Sequence, residues 1–125
     1  MTIGTMPLTA TATWHEINTL ISFMMSLSIV KVTVTYGWGC QASDIEQPVV
    51  VPLDALVELL HNNIAQAIYH LGEDNLYIET FEAADPALKI TLCHDADIHV
   101  EARDAALEAQ LRAAWEGRGI RVWPQ

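Results

Sequence analysis

The chain has 125 residues, half of them hydrophobic and fewer than a fifth charged, with a formal net charge of −10. That length fits one domain with a real core, and the apolar fraction excludes a disordered acidic tail. The negative excess excludes a phosphate-backbone partner, because six scattered basic residues make no basic groove. The charge is unevenly spread. Residues 1–43 hold one acid, Glu16, and one base, Lys31, while the remainder carries fifteen of the sixteen acids and five of the six bases.

Residues 1–12, rich in Thr, Gly and Pro, read as a loose tail. No basic n-region precedes their apolar stretch, so no secretory signal is expected. Thr13-Trp14-His15-Glu16 has the form of a capping box, with a Thr hydroxyl taking the third amide and Glu16 reaching back. Trp14, Ile17, Leu20, Ile21, Met24 and Leu27 follow at helical spacing and predict a helix over 14–27. Met25-Ser26-Leu27-Ser28 also has the form of a chain start, which would leave residues 1–24 outside the native protein. The capping box and the stripe favour a helix that belongs to the fold. The uncharged apolar run over 17–30 has fourteen residues, short of the ~20 that a membrane-spanning helix needs. A helix this apolar is also a candidate face for homo-oligomer formation.

Residues 29–36 alternate Val30, Val32, Val34 and Tyr36 against Lys31, Thr33 and Thr35, the pattern of a half-buried strand ended by Gly37-Trp38-Gly39-Cys40. Residues 41–52 form a loop with a short extended piece at 49–51. Leu53, Leu56, Val57, Leu60, Ile64, Ala67, Ile68 and Leu71 then predict a five-turn helix stopped at Gly72. Three strands are expected near 76–82, 88–93 and 97–102, then a helix over 104–116 with a Glu108–Arg112 pair, and a last strand over 120–123. The order α-β-α-β-β-β-α-β describes one α+β domain. About five mainly antiparallel strands carry two to three helices on one face, and the last strand–helix–strand unit can add a parallel pair.

Register in the three-strand meander follows from placing the apolar sets on one face. Leu92 pairs with Ile98 and Ile90 with Val100, leaving a loop of His94, Asp95 and Ala96; Ile78 pairs with Leu92 and Thr80 with Ile90. The opposite face then carries three rows: Tyr77, Cys93 and Asp97; Glu79, Thr91 and His99; Phe81, Lys89 and Glu101. Lys89 beside Glu101 supports that register through an opposite-charge pair.

Two sets of candidate site residues result. Cys93-His94-Asp95-Ala96-Asp97-Ile98-His99 holds five residues of metal-ligating type, and Cys93, Asp97 and His99 fall on one sheet face, where a divalent metal such as zinc would find thiolate, carboxylate and imidazole. Glu79 beside His99, with Cys93 near, would form an acid–base dyad. No paired-Cys or helix-borne His motif accompanies them, and no cofactor is expected. The second set is an acidic surface built from Asp44, Glu46, Asp54, Glu58, Glu73 and Asp74, extended by the corner Trp38 and by His61 and Asn62 off the helix stripe. It suits a small acidic protein that docks on a basic protein partner, as inhibitors of basic nucleases or toxins do. Cys40 and Cys93, two widely spaced cysteines, fit reduced thiols and a cytoplasmic setting.

Overall fold

The computed structural model describes residues 2–40, 48–81 and 86–123. Seven strands and three helices form the α+β domain: β1 (Thr2–Thr5), α1 (Ala10–Ser26), β2 (Lys31–Tyr36), β3 (Val49–Pro52), α2 (Leu56–Ala65), β4 (Leu76–Thr80), β5 (Leu88–Leu92), β6 (Ile98–Ala102), α3 (Ala105–Gly117) and β7 (Val122–Trp123). A 3₁₀ turn at Leu53–Ala55 leads into α2. The strands make one sheet in the order β3-β2-β4-β5-β6-β1-β7, with every neighbouring pair antiparallel.

One sheet face carries the core. Val32, Val34, Leu76, Ile78, Leu88, Ile90, Leu92, Ile98, Val100 and Ile3 meet Ile17, Leu20 and Met24 of α1, Leu56 and Leu60 of α2, and Leu107, Leu111 and Trp115 of α3. Period-2 burial along β4, β5 and β6 puts the alternate residues on the other face. That second face has no helix over it among the described residues.

Three expectations from the sequence are corrected here. Residues 2–5 are no tail: β1 inserts between β6 and β7, pairing Ile3 with Val100 and Thr5 with Val122. Among the described residues the strand count is therefore seven and not about five, and β1 separates β6 from β7, so no parallel pair forms there. The capping box at Thr13 does not form either. The cap of α1 is Thr9, whose Oγ1 accepts from Ala12 N at 3.1 Å, while Thr13 Oγ1 donates to Thr9 O. Glu16 instead sits 1% exposed and takes a two-pronged ion pair from Arg118, which follows α3. The apolar stripe of α1, Ile17, Leu20, Ile21 and Met24, is buried within the chain's own core.

All three helices end in the same way. In each, the N–H two places past the cap bonds back five residues and its predecessor bonds back three: Ile29 to Met24 and Ser28 to Met25, Ile68 to Asn63 and Ala67 to Ile64, Ile120 to Trp115 and Gly119 to Glu116. These are Schellman motifs, which need a left-handed residue. It is Gly119 (φ 78°) after α3, but Ser28 (φ 64°) after α1 and Ala67 (φ 58°) after α2. The α2 helix thus stops at Ala65, six residues before the end of the apolar stripe, and Tyr69 is buried in the irregular segment that follows.

Candidate functional site

The β5–β6 hairpin adopts the register expected from its apolar positions: Leu92 pairs with Ile98, Ile90 with Val100 and Thr91 with His99. Cys93 N donates to Asp97 O at 3.0 Å, and Ala96 N to Cys93 O at 3.1 Å, closing the loop 94–96 with Ala96 in the left-handed region. The hairpin tip is tied to its surroundings. Leu8 N donates to Ala96 O at 2.8 Å, and His94 N donates to Asn75 Oδ1 at 2.8 Å.

Strand β4 sits two residues away from its expected register. Leu76 faces Leu92, Ile78 faces Ile90 and Glu79 faces Lys89. A two-residue shift keeps every side chain on its face, so the core is unaffected while the outer rows change. Those rows are now Tyr77, Thr91 and His99, then Glu79, Lys89 and Glu101. Glu79 is therefore not beside His99, and the acid–base dyad does not form. Lys89 is flanked by Glu79 and Glu101 across the strands, yet makes an ion pair with neither among the described residues. Lys31, the other lysine, rests over the Phe81 ring at 5.3 Å. The chain's two lysines thus share the uncovered sheet face, where Thr2, Thr35, Tyr77, Glu79, Lys89, Thr91, His99 and Glu101 line a depression of about 430 Å³.

At one end of this depression stands His99. Its Nε2 is 2.9 Å from Asp97 Oδ2, and the edge of its ring meets Trp123 with centroids 5.0 Å apart. The Trp123 indole lies across Gly4, the β1 residue paired with His99, where any Cβ would collide with the ring. Trp123 Nε1 donates to Thr5 O at 2.9 Å, which fixes this wall. Cys93 is buried beside Asp97, and burial pushes its thiol pKa up, with the neighbouring Asp97 adding to the rise. The structure therefore brings Cys93, Asp97 and His99 together, with ligand atoms mutually within 4.8 Å. A second trio, Cys93, His94 and Asp95, overlaps it at the loop.

The acidic surface divides. Asp54, Glu58, His61 and Asn62 are exposed along α2 and the turn before it. Trp38 is 69% exposed but belongs to the other end of the sheet, where its ring tilts against His94 at 5.1 Å and its carbonyl accepts from Asn75 N. Pro52, next to the α2 entry, pairs with Lys31 at the start of β2, whereas Trp38 follows that strand's last residue, Tyr36. A β-strand rises about 3.3 Å per residue, so roughly 20 Å of strand separates the Asp54 end of α2 from Trp38, while the far end of α2 returns toward Tyr36, whose hydroxyl accepts from Asn63 Nδ2. His61 stacks on Trp14 of α1, centroids 4.2 Å apart, so one ring face is covered. Asp74 is buried: its Oδ2 accepts from His70 N at 2.7 Å and meets His70 Nδ1 at 3.0 Å, a structural role in the 70–75 turn. Asp44 and Glu46 lie outside the described residues. Sequence reasoning missed the Glu16–Arg118 pair and the Trp123 wall; only the glycine at position 4 hinted at the latter.

Comparison of the chain with protein-family models, with curated proteins and with solved structures finds no match. No described helix is long and apolar enough to cross a membrane.

Proposed function

We propose that this chain is a non-enzymatic binding module that docks on a basic protein surface through the exposed face of α2. The observation that carries the reading is the state of Asp54 and Glu58. Both are exposed and neither makes an ion pair within the chain among the described residues. The arginines at 103, 112 and 118 pair with Asp104, with Glu108 and Glu116, and with Glu16; Arg121 precedes β7 at the sheet edge opposite β3, and both lysines belong to the opposite face of the sheet. The α2 flank thus keeps an uncompensated negative field, with Asn62 beside it as a neutral hydrogen-bonding group. Such a field speeds encounter with a cationic surface and penalises acidic competitors. A basic nuclease or toxin is the partner type this charge suits. Two unpaired thiols, Cys40 and Cys93, fit a reducing compartment such as the cytoplasm.

The test is affinity capture from an extract of the source cell at about 50 and about 300 mM NaCl, with the wild-type chain and an Asp54→Lys/Glu58→Lys variant. The expected result is a basic protein whose retention falls at the higher salt and disappears with the variant. A partner held equally by both chains, or indifferent to salt, removes the basis for this reading.

A further inference from the structure

We infer that Cys93, Asp97 and His99 form a binding site for one Zn²⁺-class transition-metal ion, with a coordination position left open toward the uncovered sheet face. The three side chains project from the facing ends of β5 and β6, and their ligand atoms all lie within 4.8 Å of one another. Zinc bonds of about 2.0–2.3 Å in a tetrahedral shell place ligand atoms roughly 3.3–3.8 Å apart, so about 1 Å of side-chain rotation closes the site. The backbone supporting it is already fixed by the Cys93–Asp97 hydrogen bond and by the ties from Leu8 and Asn75.

An independent observation points to a cation. Asp97 Oδ1 is buried with no nitrogen or hydroxyl donor against it and only the weakly donating Cys93 thiol beside the carboxylate, while Oδ2 is taken by His99. A buried carboxylate oxygen so weakly partnered is costly, and a metal ion bound there would satisfy it. The donor set fixes the metal class. Thiolate with imidazole suits zinc and the neighbouring late transition metals, and one carboxylate among three ligands is far from the all-oxygen shell of Ca²⁺ or Mg²⁺. The rival trio through His94 is weaker, because His94 Nδ1 is 2.9 Å from Asn75 Oδ1 and its carboxylate, Asp95, is 70% exposed.

Three protein ligands leave the fourth tetrahedral position to water or to a ligand from outside, unlike the closed four-ligand shell of a structural site. His99 belongs both to the trio and to the lining of the 430 Å³ depression, so the open position borders that depression near Thr91 and Tyr77. Trp123 closes the side toward β1. This inference is independent of docking through α2: either can fail without the other.

The full-length chain, stripped with a chelator, is titrated with ZnCl₂ by calorimetry and with CoCl₂ by absorption. One equivalent is expected, with a thiolate-to-cobalt charge-transfer band and the intense visible bands of a tetrahedral ion. Cys93→Ser removes the charge-transfer band and Cys40→Ser keeps it. His99→Ala and Asp97→Asn weaken Zn²⁺ binding by about 100-fold or more, and His94→Ala leaves it within about threefold. Circular dichroism checks that each variant is folded. The inference is overturned by the absence of stoichiometric binding to the wild-type chain, by a charge-transfer band that vanishes with Cys40→Ser, or by folded Cys93→Ser and His99→Ala variants with unchanged affinity. The wild-type and Cys40→Ser spectra decide the matter even where a ligand variant fails to fold.

Discussion

The buried ion pair between Glu16 and Arg118 yields the sharpest stability prediction. Glu16, in the second turn of α1, is 1% exposed, and the Arg118 guanidinium donates through Nε and Nη2 to its two carboxylate oxygens. Replacing Arg118 with Met leaves a carboxylate buried without its counter-charge. Breaking such a pair from one side costs about 3–5 kcal/mol. The Arg118 side chain is 29% exposed, so water can reach the gap and restore part of the solvation, which lowers the expected cost to about 2–3 kcal/mol. For a domain of this size that is a fall in Tm of roughly 10 °C. The double variant Glu16→Leu/Arg118→Met removes both charges and fills the space with apolar atoms, and is expected within about 1 kcal/mol of wild type. The assay is urea unfolding of all four chains, read as a double-mutant cycle. A coupling below about 0.5 kcal/mol refutes the reasoning. It would indicate instead that water reaching the part-exposed Arg118 already screens the pair.

Two further expectations concern a helix end and a thiol. Ala67 takes φ 58° to close the Schellman motif after α2, a conformation that costs a non-glycine residue about 1–2 kcal/mol. Ala67→Gly, partly offset by its greater unfolded-state entropy, should raise stability by about 0.5–1 kcal/mol in urea unfolding; a loss would mean the Ala67 methyl contributes packing that outweighs the strain. Burial pushes the Cys40 thiol pKa up, and its Sγ–H donates to Asn75 O at 3.4 Å, so the folded state favours the neutral form. That stabilisation is complete below the unfolded thiol pKa and is lost as pH rises toward the folded value. Alkylation of Cys93→Ser, which leaves Cys40 alone, should therefore show a midpoint at higher pH in the native chain than in guanidinium, and equal midpoints would contradict it.

Capping residues made some helix ends legible and left others hidden. α3 has an Asp N-cap, with Asp104 Oδ1 2.9 Å from Leu107 N, and a glycine at its left-handed stop; its predicted span of 104–116 nearly matches the observed Ala105–Gly117. α2 stops at an alanine in the left-handed region, while its apolar residues continue to Leu71, so the periodicity overran the true end. Apolar spacing reports burial, and Ile68, Tyr69 and Leu71 are wholly or partly buried without being helical.

What the sequence by itself determined is local. Alternation in 88–102 set which residues of β5 and β6 face the core, and the three-residue loop fixed their pairing, so the convergence of Cys93, Asp97 and His99 on one face was readable from residue order. A one-residue slip there would bury charge, which makes the register self-specifying. Only the tertiary structure decided the rest. A two-residue slip of β4 costs the hydrophobic pattern nothing, so the place of Glu79 opposite Lys89 needed the assembled sheet. Four residues, Thr2–Thr5, have no periodicity to announce a strand, and β1 is legible only in its antiparallel pairing with β6 and β7. Glu16 found Arg118 across 102 residues of chain, a separation at which no local spacing rule operates.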